Sequence, residues 1–180
     1  MTRLIYTSFN FPSSSPLLDE RLVAAAKQDL ADLIEECLNG QEACDVNYQD
    51  GLGNTALHYA ASSPSPDALQ LLLETDGTDV DLQNRLDRAT PLHLAVKLEN
   101  EGARQGVIEM LLDAGANPSI KDRHGLKIVD YLHPDSSETD KSIVQMIREA
   151  IREQTMGGVA NNADLADSDD GAPGSGSESD

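Results

Sequence analysis

The chain has no tryptophan, only two phenylalanines and only four tyrosines in 180 residues. A core centred on large aromatic rings is therefore excluded, and Leu, Val, Ile and Ala must build it, which favours thin helical layers. Long apolar runs are also absent: nothing approaches the roughly 18 apolar residues that a membrane-spanning helix needs. Positive charge is scarce, 13 Lys and Arg against 32 Asp and Glu, for a formal charge of −19. Such a surface repels nucleic-acid phosphates and attracts basic partners. Cysteine is nearly missing. Cys37 and Cys44, with no histidine pair nearby, form neither a zinc site nor a disulfide framework, so reduced thiols in cytoplasm or nucleus are expected. Cys37 lies in the apolar run Leu33, Ile34, Leu38 and should be buried and inert. Cys44 lies in a loop and should be exposed.

Catalytic and cofactor motifs are missing too. There is no G-x-S-x-G elbow, no phosphate loop, no dinucleotide fingerprint and no EF-hand spacing. The acidic pairs Glu35-Glu36 and Asp169-Asp170 are read as solvated faces. The first 18 residues contain no acid and several serines, as transit peptides do, but their one base, Arg3, is too little for that reading. They have no apolar segment of the secretory kind.

What the chain does contain is a repeat. Gly53-Asn54-Thr55-Ala56-Leu57-His58-Tyr59-Ala60-Ala61 returns 35 residues later as Arg88-Ala89-Thr90-Pro91-Leu92-His93-Leu94-Ala95-Val96. Each copy precedes a second apolar block: Leu69, Leu71, Leu72 and Leu73 in one, and Val107, Ile108, Met110, Leu111 and Leu112 in the other. Gly115-Ala116-Asn117 follows the second. In these residues the chain resembles the ankyrin-repeat family, whose unit of roughly 33 residues carries a Thr-Pro-Leu-His-x-Ala start. Thr90 to Ala95 matches that start throughout, and Thr55 to Ala60 lacks only the proline. Asp45-Val46-Asn47 and Asp79-Val80-Asp81 fit the family's exit.

Two outer copies are degenerate. The first runs from Leu22 through Ala24-Ala25-Ala26 to Leu38, with Leu22 again 35 residues before Leu57. The last keeps Asp122-Arg123-His124-Gly125 but has Lys127-Ile128-Val129-Asp130 in place of the start motif. Ile143, Val144, Met146, Ile147 and Ile151 follow. Atypical ends with polar outer faces are what a stack of such units requires. The expectation is an all-α ankyrin solenoid of four helix-turn-helix units joined by β-hairpin loops. The repeats span 18–49, 50–84, 85–121 and 122–154, between a flexible arm at 1–17, rich in Ser and Pro and carrying Phe9 and Phe11, and a disordered acidic tail at 155–180. The tail holds six acids and no base from Asn161 onward.

Local chemistry supports the unit. Thr55 and Thr90 are good N-caps, and Pro91 suits the first helical position. Leu92 and Ala95 share a helical face. Gly53 and Gly125 sit at hairpin turns, where Arg88 replaces the expected glycine and one extra residue is present. Four extra residues are expected in the helix–helix turn of repeat three, within Glu99–Gly106. The runs Leu71-Leu72-Leu73 and Leu111-Leu112 should supply most of the central stability. The resemblance implies that His58 and His93 hydrogen-bond between turns as structural residues. His124 should be solvated at a hairpin tip, and His133 should mark a frayed last repeat.

The resemblance also implies a protein-binding concave face made of hairpin tips and first helices. The positions that the family leaves free are Tyr48, Gln49, Leu52 and Asn54 in the second hairpin. The third contributes Gln83, Asn84, Leu86 and Asp87, and the fourth Lys121, Arg123, His124 and Leu126. First-helix positions are Tyr59, Ser62, Ser63, Lys97 and Leu98. Tyr48 and Tyr59 either anchor a partner or pack within the stack. The expected protein is a monomer without cofactor, metal or catalysis. It is an adaptor or regulator, or else an escort for a basic client such as a ribosomal protein or translation factor, or an inhibitor of an enzyme or transcription factor. The escort reading draws on a small acidic fungal ankyrin protein of similar size, charge and tail that shields a ribosomal protein, although no motif ties the chain to it. Ser175 and Ser177 each have an acid three residues on, as acid-directed kinases prefer.

Overall fold

The computed structural model of the protein describes residues 16–40, 44–63, 65–135 and 137–157. The arm with Phe9 and Phe11, the acidic tail beyond Gly157 with Ser175 and Ser177, and Pro64 lie outside the described residues.

The helices are α1 Pro16–Lys27, α2 Ala31–Asn39, α3 Ala56–Ser62, α4 Pro66–Glu74, α5 Pro91–Ala95, α6 Glu101–Asp113 and α7 Glu138–Gly157. A 3-10 turn, Ile128–Tyr131, stands where repeat four would have its first helix. Helices pair within each repeat and also line up in two layers. α1, α3 and α5 form an inner layer, and α2, α4, α6 and α7 an outer one. The 3-10 turn continues the inner layer, with the Tyr131 ring edge-on to His93 at 6.5 Å.

Leu57 and Leu92 occupy the equivalent site in successive layers, 2% and 1% exposed. Ala25, Ala26, Ala60, Ala61 and Ala95 are fully buried along the inner helices, where a methyl is all that fits between neighbouring backbones. Of the leucine run only Leu72 is fully buried. Leu71 and Leu73 are half-buried, and Leu69 takes the second core place. Successive helical residues point about 100° apart, so three in a row cannot share a face. The central seam thus rests on Leu69 and Leu72 against Val107, Ile108 and Leu111. Each fully buried Leu or Ile contributes about 1.5–3 kcal/mol.

The four extra residues of repeat three do not lengthen a loop. α6 starts 35 residues after α4, but it has 13 residues against 9. The insertion is therefore about one more helical turn. Asn100 caps it, its Oδ1 accepting from the N–H of Ala103 at 2.9 Å. The added turn also docks the last repeat. Arg104 donates to Asp140 Oδ1 at 2.6 Å and to the Leu98 carbonyl at 3.2 Å. Glu101 accepts from the hydroxyls of Ser137 and Thr139.

The hairpin loops contain no strand among the described residues. Each is reduced to a tip closed by two backbone bonds, one of them the turn bond from Gly53, Arg88 or Gly125 N–H back to the carbonyl of Asp50, Asn84 or Asp122. Asp50 N–H donates to the Asn54 carbonyl, Asn84 N–H to that of Ala89, and Asp122 N–H to that of Leu126. The second of these tips is one residue longer, as its sequence predicts. Arg88 there holds φ at +52°, beside +81° and +77° for Gly53 and Gly125.

Candidate functional site: a row of interlocked hairpin tips

The start motif fixes each tip to the next repeat. Thr55 N–H donates to His58 Nδ1 at 3.1 Å, so Nδ1 is an acceptor and the ring proton sits on Nε2. From there it reaches the Ala89 carbonyl of repeat three at 3.1 Å. Thr90, His93 and Leu126 repeat the arrangement one layer on, at 3.3 Å for both bonds. Burial lowers the pKa of both imidazoles, and both stay neutral at neutral pH. They are joints of the scaffold.

The tips are also bonded to one another directly. Arg85 N–H donates to the Leu52 carbonyl at 3.0 Å, and Arg123 N–H to that of Asp87 at 2.7 Å. Gln49 reaches the Gln83 carbonyl, and Gln83 in turn reaches that of Lys121. Gly53 is required here: a Cβ on it would lie 2.4 Å from Arg85 N.

A carboxylate braces the tips of repeats two and four. Asp50 accepts from the N–H groups of Leu52 and Asn54 and from the Tyr59 hydroxyl at 2.6 Å. Asp122 accepts from the N–H groups of His124 and Leu126 and from the Tyr131 hydroxyl at 2.5 Å. Burial alone would raise the Asp122 carboxyl, but the Tyr131 hydroxyl and the two N–H donors hold it at about 2. The same bond to Asp122, helped by burial, pushes Tyr131 up to about 12. A lysine of the preceding repeat covers each ring, Lys27 above Tyr59 at 3.9 Å and Lys97 above Tyr131 at 5.2 Å. In repeat three the corresponding residues are Asn84, Leu94 and Ser62.

The sequence-predicted binding residues separate into two groups on this geometry. Leu52, Leu86 and Leu126 stand out at successive tips, 51%, 53% and 37% exposed. Lys121, Arg123 and His124 are exposed in the fourth tip, and Ser62 and Lys97 are exposed at the ends of the inner helices. Asn84 is buried instead. Its Oδ1 accepts from the N–H groups of Asp87 and Ala89, and its Nδ2 donates to Asn54. Gln49, Gln83 and Asn54 are half-buried in the bonds described above. Tyr48, Tyr59 and Leu98 are half-buried against the core, and Ser63 and Asp87 are half-buried. Gly115, at the exit of repeat three, takes φ +89° after α6.

Two exposed tip residues, Arg85 and Arg88, were not among the predicted binders. Their signal was position alone, inside the segment between Asn84 and Ala89. Cys44 departs from expectation as well. It is half-buried against the core, and burial, with the nearby Asp19, pushes its thiol up to about 12, which leaves it unreactive. Cys37 is fully buried. His133 is exposed, and its backbone N–H donates to Asp140 Oδ2 at 2.8 Å, so the end of the 3-10 turn is anchored to α7.

The outer layer differs in charge. A cleft of about 420 Å³ between α6 and α7 is lined by Glu109, Asp113, Glu149 and Glu153 around Leu112 and Met146. Another, between α2 and α4, presents Glu35, Glu74 and Asp76. No group of His, Cys, Asp and Glu among the described residues is placed to hold a metal ion, and no described helix is long and apolar enough to cross a membrane.

A family model for ankyrin repeats (3 copies) matches residues 22–122. The chain belongs to the ankyrin-repeat family. An ankyrin repeat-containing protein of Saccharomyces cerevisiae is 32% identical over 164 residues, covering 86% of this chain and 90% of the yeast protein. Neurogenic locus notch homolog protein 1 of Danio rerio is 32% identical over 127 residues, 69% of this chain but 5% of that protein. The E3 ubiquitin-protein ligase hecd-1 of Caenorhabditis elegans is 26% identical over 148 residues, 82% of this chain and again 5% of its own length. With the latter two, the likeness is confined to a small part of a much longer protein. Ankyrin repeats are protein-interaction modules, and this ankyrin array carries the motif that sets one tip against the next.

Proposed function

We propose that the protein is an adaptor or regulator that grips a partner polypeptide across the tips of repeats two, three and four. The observation that supports this best is the row Leu52, Leu86, Leu126. Three large apolar side chains are held in water at the one place where successive repeats are bonded tip to tip. A lone exposed leucine is ordinary. A row of them on a preorganised edge lowers the ordering cost of binding.

A second reading is escort of a basic client, and the charge of −19 and the carboxylates beside the two outer clefts favour it. Affinity capture with the full chain separates the two, using native protein and a variant with Leu52→Ser, Leu86→Ser and Leu126→Ser. Under the adaptor reading the captured partner is lost from the variant and its binding changes little with salt. Under the escort reading the partner is basic, stays on the variant and is released by salt. Retention on the variant with no salt dependence counts against both.

A further inference from the structure

The tips are cationic within an acidic protein. Arg85, Arg88, Lys121 and Arg123 are all exposed there, and among the described residues none of them has a carboxylate within ion-pair distance. The tip carboxylates that could neutralise them are turned inward. Asp50 and Asp122 are each bound by two backbone N–H groups and a tyrosine hydroxyl. Asp87 alone remains against four cations. The excess acid of the described residues lies elsewhere, on the outer helices and on the connections away from the tips.

We infer that the partner segment held by the tips is acidic and aliphatic: an extended stretch whose apolar side chains meet Leu52, Leu86 and Leu126 and whose carboxylates meet the arginines and lysine between them. This rests on the tip-binding reading above and adds the sign of the partner's charge, opposite to the sign that the net charge alone implies. The geometry fits an extended strand of polypeptide. The leucines recur once per repeat on successive tips, and Arg85 and Arg123 flank Leu86, Arg123 Nη1 donating to the Leu86 carbonyl at 2.7 Å and its other N–H groups facing a carboxylate of the partner. The basic residues sit on the tips themselves, so attraction is short-ranged. At a distance the whole chain repels an acid, and this array therefore selects by contact rather than by steering.

The test uses the full-length chain and three fluorescein-labelled synthetic peptides of equal length. One is built of aspartate, leucine and serine, the second has lysine for aspartate, and the third has serine for leucine. Fluorescence anisotropy should show the aspartate–leucine peptide binding at least about tenfold more tightly than either of the others. Arg85→Glu with Lys121→Glu should weaken it about tenfold or more, and so should Leu52→Ser with Leu86→Ser. All four positions are exposed, and unchanged thermal midpoints by circular dichroism verify that the variants are folded.

If the lysine peptide binds better and still weakens in the leucine variant, the tips remain the binding edge and the charge assignment falls. If no peptide responds to the leucine variant, the tip reading falls with it. Sedimentation of the unliganded chain adds a further check. A dimer that the tip variants dissociate would place a second copy there and overturn the assignment to an acidic segment.

Discussion

Repeats two and three begin with copies of one six-residue motif, with Ala56 in the first where the second has Pro91, and end as different objects. In both, a threonine–histidine pair locks the tip to the following repeat, and Leu57 and Leu92 fill the same place. In repeat two the outer helix is short, the tip turns on a glycine, and Asp50 with Tyr59 braces it. In repeat three the outer helix gains a turn, the tip turns on Arg88, and the amide of Asn84 takes over the bracing. The motif thus sets the joint between layers. The residues outside it decide what each layer does with its free surfaces. Repeat three uses its extra turn to hold the terminal repeat, and both leave a leucine at the tip.

The equivalence of the two layers is tested most sharply in the core. Leu57→Ala and Leu92→Ala should each destabilise the chain by about 2–5 kcal/mol, the range for buried leucines. The two values should agree within about 1 kcal/mol, since each side chain is flanked by a repeat on either side. Urea unfolding followed by circular dichroism measures both. A cost at one site less than half that at the other would mean that the layers are not equivalent.

The asymmetry between the repeats is tested at Arg104 and Asp140. This pair is largely buried, and removing Asp140 leaves Arg104 with the more distant, exposed Glu101 at 3.8 Å and the Leu98 carbonyl, at about 3 kcal/mol. Because the contact joins α6 to the segment around α7, Asp140→Ala should first release repeat four. Hydrogen exchange should show α7 losing protection while α3 and α4 keep theirs. Uniform loss along the chain would contradict a cap held on by the inserted turn.

Gly53 comes next. An alanine there must hold a left-handed φ, at about 1–2 kcal/mol, and its Cβ meets the backbone of Arg85, which cannot swing aside. Gly53→Ala should therefore cost about 2 kcal/mol or more, with the loss read from the urea midpoint. A neutral outcome would show that the second and third tips are less firmly stacked than their hydrogen bonds imply.

Acid and alkali probe the same joints. His58 and His93 have folded pKa values below the ordinary value of about 6.5, so between the two values the unfolded chain binds more protons. Stability should then fall as pH drops below about 6.5. His58→Asn with His93→Asn should lower stability at neutral pH and flatten this slope. Asp122, at about 2, adds a second loss as pH falls through the ordinary carboxylate range toward that value. Tyr131, at about 12, gives the opposite branch: above pH 10, near its unfolded value, the unfolded chain loses the proton first and stability declines. Urea midpoints across pH locate both branches, and Tyr131→Phe should remove the alkaline contribution of this group.

The joints were the legible part of the sequence. A threonine, leucine, histidine and alanine at fixed spacing carry local caps and one contact to the next copy, so a single copy of the motif shows most of the chemistry. The added turn of α6 was not legible. Glu99–Gly106 contains Gly102 and Gly106, each costing a helix about 1 kcal/mol, and it reads as a loop. The added turn is capped by Asn100 and held by contacts distant in sequence, Arg104 to Asp140 and Glu101 to Ser137 and Thr139. Asn84 looked like a free tip position because the N–H groups of Asp87 and Ala89 become its neighbours only once its own tip has turned, and Asn54 only once two tips are stacked. The cationic character of the tips was hidden for a related reason. Net charge averages over faces, and folding separates the outer acids from the tip bases.

The smallest effect has the opposite sign. Arg88 holds φ at +52° where its counterparts in repeats two and four are glycines. A non-glycine residue there costs about 1–2 kcal/mol relative to its preferred regions, while a glycine gives back part of that gain through the greater freedom of the unfolded chain. The arginine side chain returns only a long bond of 3.4 Å to Gln83 Oε1. Arg88→Gly should then stabilise the chain by about 0.5–1 kcal/mol, measured as an upward shift of the urea midpoint with unchanged slope. It also removes one of the four tip cations, so the variant that folds better should hold the aspartate–leucine peptide less well. Gains in both stability and peptide affinity would show that Arg88 has no part in binding. A loss of stability would show that the extra residue of the third tip, rather than the register of the glycine, sets its backbone.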